Sequence, residues 1–211
     1  MKRGILILLL IILGISQMTA QISSLIGEYY LQGVMETASG FRLNSDSSFD
    51  FFYSYGALDR GGKGNWKVEG SQLKLNSFSS GSDAFVLKEE KKISASGFLV
   101  RINDANPFFK KYVHGFVSGK SHEEEQQSNS DGILHFSPGT YDSLMLMMEF
   151  CPEKVFRMDL KGNENNEFVF TFDPALMEVV FQNFTLKIDS KGLIGKHPLL
   201  VDKEYFFEKA E

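Results

Sequence analysis

The chain carries four histidines, His114, His122, His135 and His197. Imidazole is the commonest metal ligand and the usual base near neutral pH. A zinc centre needs three or four converging ligands, and neither H-x-x-x-H nor H-E-x-x-H occurs here. His114 and His135 fall in alternating segments, and on neighbouring strands they would form a two-histidine site. A partly buried histidine with one backbone partner is the simpler expectation. His122-Glu123-Glu124-Glu125 sets carboxylates beside an imidazole, yet consecutive residues of a polar run rarely converge, so it reads as a solvated acidic loop. No metal and no other cofactor is expected.

Other catalytic chemistries leave equally little trace. Glycoside hydrolysis needs two carboxyls facing each other across a cleft. Asp50, Asp59, Glu149 and Asp159 are candidates, and nothing selects a pair among them. No serine stands in G-x-S-x-G, and Gly61-Gly62-Lys63-Gly64 lacks the following Ser/Thr and helix of a phosphate loop. Cys151, between Phe150 and Pro152, reads as a small buried hydrophobe, because a reactive thiolate needs positive charge nearby. Asn183-Phe184-Thr185 is a glycosylation sequon that matters only in a host that glycosylates. No catalytic residue is assigned.

Binding chemistry has a better candidate in Phe49, Phe51, Phe52, Tyr53, Tyr55 and Trp66. Consecutive Phe51-Phe52 puts one ring on each face of a sheet, so one ring meets solvent, a cavity or a second sheet. The stretch Tyr55 to Lys63, with Asp59 and Arg60, would line a pocket mouth. The expected ligand-binding set is Phe52, Tyr53, Tyr55, Arg60 and Trp66, and the expected ligand is a small apolar or aromatic molecule. The competing reading is that a second sheet covers the outer ring.

These residues must be positioned by strands. Phe41 and Leu43 alternate with Arg42, Asn44 to Ser48 make a turn, and Phe49, Phe51 and Tyr53 alternate back. Gly56 to Gly64 is too rich in glycine for regular structure. Trp66 and Val68 point together, Glu69-Gly70-Ser71 turns, and Leu73 and Leu75 pair back. Gly27-x-Tyr29, Phe41-x-Leu43, Phe49-x-Phe51, Gly64-x-Trp66 and Leu73-x-Leu75 together resemble small secreted lipocalin-like domains over residues 25–76. The resemblance implies an antiparallel barrel. One departure is Asp46-Ser47, where those domains carry Asp-Gly.

A second β region follows a Ser/Gly loop at 77–83. Strands are expected at Ala84–Leu87, Phe98–Asp104, Phe108–Phe116, Ile133–Phe136, Ser143–Phe150, Phe156–Leu160, Glu167–Phe172, Met177–Phe181, Phe184–Ile188 and Glu204–Glu208. Glu89 to Lys92 reads as a solvated hairpin end. Residues 110–150 faintly resemble transthyretin-like modules such as carboxypeptidase regulatory domains. The last segment is placed to close the first barrel.

Composition bounds the rest. Lys2 and Arg3 precede the apolar run Ile5–Ile15, and Ser16–Ala20 is more polar, the pattern of a secretory signal peptide over residues 1–20. The run is shorter than the ~20 residues a membrane helix needs, and no cysteine follows it for lipid attachment. The expected location is secreted or periplasmic, with no integral membrane segment after cleavage; an uncleaved anchor is the alternative. Without Lys2 and Arg3 the 22 basic residues fall to 20 against 27 acidic, a net charge of -7. The bases are scattered, which excludes a concentrated nucleic-acid face. Twenty Phe and 19 Gly against 5 Pro favour an all-β chain. The expected organisation is a lipocalin-like barrel or half-barrel at 21–96 with a second antiparallel β region at 97–211. The expected function is a non-enzymatic binding or cell-envelope module. The alternatives are a carboxylate-dependent hydrolase with a site between the two regions, or an assembly component acting through strand edges.

Overall fold

Rings alternating with polar groups force strands with one dry and one wet face, and such strands dominate this chain. The structure, a computed structural model, describes residues 23–79, 83–120 and 122–211. The expected signal peptide lies outside them. Among the described residues no helix is long and apolar enough to cross a membrane.

The chain begins with β1 (Gly27–Leu31), β2 (Thr37–Leu43), β3 (Ser48–Tyr55), β4 (Leu58–Glu69) and β5 (Gln72–Ser77). Next come β6 (Phe85–Lys91), β7 (Phe98–Ile102), β8 (Val113–Ser118), β9 (Glu123–Gln127) and β10 (Ile133–Phe136). It continues through β11 (Ser143–Met148), β12 (Cys151–Asp159) and β13 (Glu167–Phe172), then β14 (Phe184–Ile188), β15 (Gly192–Lys196) and β16 (Glu204–Lys209).

Two compact units divide these strands: residues 1–80 with 178–211, and residues 81–177. The expected boundary at 96/97 instead falls inside the second unit, between β6 and β7. The first unit is a closed antiparallel barrel in the order β1-β16-β15-β14-β5-β4-β3-β2. Each strand therefore pairs with its neighbour in sequence, apart from the second unit's insertion between β5 and β14. Closure comes from Tyr29, Tyr30 and Leu31 pairing with Lys209, Glu208 and Phe207.

Several expectations at the level of single elements are corrected. Gly56–Gly64 is not an irregular tip, since most of it belongs to the 12-residue β4, which pairs with β3 from Leu58 to Asn65. The glycines are there for approach rather than flexibility. A Cβ on Gly64 would fall on the Asn76 carbonyl, and one on Gly62 would lie 2.5 Å from the Val179 carbonyl. Met177–Phe181 is not a strand but the segment that seals this gap. Val179 N–H donates to the Gly61 carbonyl (2.7 Å), and Ser77 N–H donates to the Phe181 carbonyl (2.8 Å). β2 starts at Thr37, before the expected Phe41, and β15 was not expected at all. At the β2–β3 turn Ser47 takes the left-handed backbone itself (φ 66°). Asp46 Oδ1 holds it by accepting from Ser48 N (2.9 Å) and Ser48 Oγ (2.6 Å). That offsets the ~1–2 kcal/mol a side chain costs there.

The second unit comprises two four-stranded sheets, β10-β7-β13-β6 and β12-β11-β8-β9. Pairing is antiparallel except between β13 and β7, which run parallel. Phe98, Val100, Phe168 and Phe170 from one sheet, and Val113, Val117, Leu144 and Leu146 from the other, share one core. The acidic run expected as a loop is the strand β9, and Glu89 to Lys91 belong to β6 rather than to a hairpin end. Both are outermost strands, where charge discourages pairing with another chain. The expected strand Phe108–Phe116 opens with a 3-10 turn at Phe109–Tyr112, so β8 starts only at Val113.

Candidate functional site

Inside the barrel the inward positions of β2, β3 and β16 carry Phe41, Phe49, Phe51 and Phe207, all at most 3 % exposed. Phe181 enters among them and meets Phe41, Phe49, Phe51 and Phe184 edge-on, with centroids 5.2–6.0 Å apart. Edge-to-face contact is the preferred aromatic geometry, so these rings make a packed core along the lumen. Trp66 belongs to the end near the β2–β3 turn, where its Nε1–H donates to the Asn44 carbonyl (3.1 Å).

The opposite end is polar. Ser39, Tyr53 and Arg60 lie in register across β2, β3 and β4, all buried. His197, from the β15–β16 connection, sits against Phe51, Tyr53, Tyr205 and Phe207. A serine 2.9 Å from an imidazole resembles a nucleophile and its base, but the hydrogen bonds forbid that role. Leu199 N–H donates to His197 Nδ1 (3.1 Å), so the proton sits on Nε2, which donates to Ser39 Oγ. Ser39 in turn donates to the Phe52 carbonyl (2.7 Å). The imidazole lone pair and the serine proton are both committed. Burial pushes the His197 pKa down to about 4, so the ring is neutral at pH 7. Burial also raises the Tyr53 phenol, with Tyr55 adding to the rise and Arg60 opposing it.

The outer wall of β1–β4 presents a different surface, arranged in three cross-strand rows. The first is Glu28, Arg42, Asp50 and Lys63, alternating in charge. The second is Tyr30, Gly40, Phe52 and Gly61. The third contains Ala38, Ser54 and Asp59. In the middle row Tyr30 (41 %) and Phe52 (40 %) are exposed, with ring centroids 6.1 Å apart and edge-to-face. Gly40 lies beneath Phe52, where a Cβ would come within 3.0 Å of the ring. On the far side, a Cβ on Gly61 would meet only the Phe51 carbonyl, at 3.5 Å, so a shelf is open beside Phe52. Tyr30 OH donates to Glu28 Oε2 (2.6 Å), and Arg42 Nε pairs with Glu28 Oε1 (3.5 Å).

No family model, curated protein or solved structure matches this chain.

The expected ligand-binding set is divided by the barrel wall. Tyr53 and Arg60 are buried at the polar end of the lumen, with Tyr55 half exposed at its rim. Trp66 is at the other end, and Phe52 faces outward. Tyr30, Gly40 and Gly61, which complete the outer face, were missed because only the register of four strands unites them. The Ser39–His197 pair spans 158 positions and has no local signal. His114 (β8) and His135 (β10) lie on different sheets, so the conceivable two-histidine site does not form. Among the described residues no three His, Cys, Asp or Glu side chains group to hold a metal. Glu124 is an anchor. Its carboxylate accepts from Ser137 N (2.8 Å), Gln126 Nε2 (2.7 Å) and the His122 ring, which hold its pKa down to about 2 against the opposing effect of burial. Asp50 and Asp59 share the outer wall, separated by the aromatic row. Glu149 and Asp159 fall at opposite ends of β11.

Proposed function

We propose that this chain is an exported, non-catalytic binding module that takes a small ligand with an apolar face on the outer wall of its barrel, at Phe52 and Tyr30. One observation carries the reading. Two rings stand exposed side by side, with a side-chain-free shelf next to them, between a charged row and a row that carries Ser54 and Asp59. Large apolar groups stay in water at a cost of about 25 cal/mol per Å2, which a ligand covering them recovers. The filled lumen directs the ligand outward. Residues 1–20 support export by their sequence pattern, and the closed eight-stranded antiparallel barrel supports the lipocalin-like reading of its architecture.

The test is a fragment screen by ligand-observed NMR on the processed chain. Hits should lose their signal in Phe52→Ala, with melting and Trp66 emission unchanged. Hits that persist in Phe52→Ala and vanish in Tyr53→Phe would move the site into the lumen and refute the proposal.

A further inference from the structure

Resting on that reading, we infer that the ligand of the outer wall is a neutral saccharide, stacked on Phe52 over the Gly61 shelf. Three features of the wall select this chemistry.

The first is shape. Strands lie about 4.8 Å apart, and cross-strand side chains stand about 5 Å from one another, roughly the width of a pyranose ring. Gly61, opposite Phe52 on β4, leaves that width vacant. The shelf therefore admits one ring edge-on to the sheet, with its broad face against Phe52. Gly40 lets the Phe52 side chain lie close to the wall instead of standing away from it.

The second is the charge pattern. Glu28, Arg42, Asp50 and Lys63 alternate in sign across four strands and sum to zero. A row of this kind does not concentrate anions, and the other charges around the aromatic row, Glu208 opposite Tyr30, Glu178 bridged to Gly61, and Asp59, are acidic, which disfavours phosphate or nucleotide ligands. The row does alternate acceptors with donors at strand spacing. A sugar presents hydroxyls that each donate and accept, so both signs are satisfied by the same ligand. Asp50 is already oriented by Asn44 Nδ2 (3.2 Å), and Glu28 by Tyr30 and Arg42. Ser54 and Asp59 supply hydroxyl partners on the other flank.

The third is the limit of the apolar surface. The exposed rings in this row are Tyr30 and Phe52, with the charged row on one flank and Ser54 and Asp59, beside Ala38, on the other. A lipid or apolar peptide would leave those polar groups covered and unpaired, at roughly 1–3 kcal/mol each. The C–H face of a sugar suits the negative face of an aromatic ring, and its hydroxyl edges suit the flanking rows.

The experiment is isothermal titration of the processed chain with cellohexaose, chitohexaose and maltohexaose. The variants are Phe52→Ala, which removes the stacking face, and Gly61→Thr, which fills the shelf while keeping both rings. Melting temperature and Trp66 emission confirm that each variant folds. At least one hexasaccharide should bind, and both variants should weaken it at least tenfold. Binding that both variants leave intact overturns the inference, because the sugar then sits elsewhere. No hexasaccharide binding, with a flat aromatic probe such as 2-naphthol held by the wild type and released by Gly61→Thr, overturns the saccharide assignment but keeps the binding face. Failure of both sugar and naphthol to bind overturns the assignment and the binding face together.

Discussion

Replacing Phe181 by alanine tests whether the return segment is part of the barrel core. The ring is 1 % exposed and contacts Phe41, Phe49, Phe51 and Phe184 edge-on at 5.2–6.0 Å. Phe→Ala in a core costs about 3–5 kcal/mol, the upper end applying where neighbours cannot collapse into the void. Here all four neighbours sit on strands held on both sides by barrel pairing, so collapse is restricted and about 4–5 kcal/mol is expected. The backbone bonds to Ser77 survive the change, which confines the loss to the ring. Trp66 is the single tryptophan, is 4 % exposed and lies in the same unit, so its emission follows the barrel alone. Urea slopes of about 1–3 kcal/mol/M put the shift in midpoint near 2 M. Phe181→Leu, which keeps most of the volume, should cost about 1.5 kcal/mol. A Phe181→Ala midpoint within about 0.3 M of wild type would refute the place of Phe181 in the core and with it the filled lumen.

Other perturbations probe separate links. His197 binds a proton more weakly folded (pKa about 4) than unfolded (6.5), so acid draws the equilibrium towards the unfolded chain. Its contribution is intact above pH 6.5 and is lost progressively down to pH 4, about 3 kcal/mol in all, read from Trp66 midpoints. His197→Gln should flatten that slope. Gly64→Ala should destabilise the barrel by more than 2 kcal/mol in the same assay, since its Cβ would collide with the Asn76 carbonyl. Cys151, fully buried in the second unit, should resist an aromatic disulfide reagent until that unit unfolds; labelling at the rate of an exposed thiol in native conditions would contradict its burial.

Much of this protein is written locally. The two-residue rhythm of Phe41-Arg42-Leu43 and of Phe49 through Tyr53 announces strands and their inward residues, because side-chain direction in a strand depends only on parity. The turn at Asn44–Ser48 is equally local: Asp46 needs only its own neighbours to bond Ser48. Sequence misread the glycine-rich start of β4, since glycine there answers to Val179, Phe181 and Asn76, which are remote along the chain. It also set Phe52 beside Tyr53, Arg60 and Trp66 as one site. Parity already puts Phe52 and Tyr53 on opposite faces, but only closure of the barrel decides which face is the lumen and sets Arg60 at one end and Trp66 at the other. The same closure brings Ser39 to His197 and lines up Tyr30, Gly40, Phe52 and Gly61. Parity is a property of adjacent residues, whereas register between strands is fixed by which pairing buries every ring at once, and that sum is taken over the whole barrel.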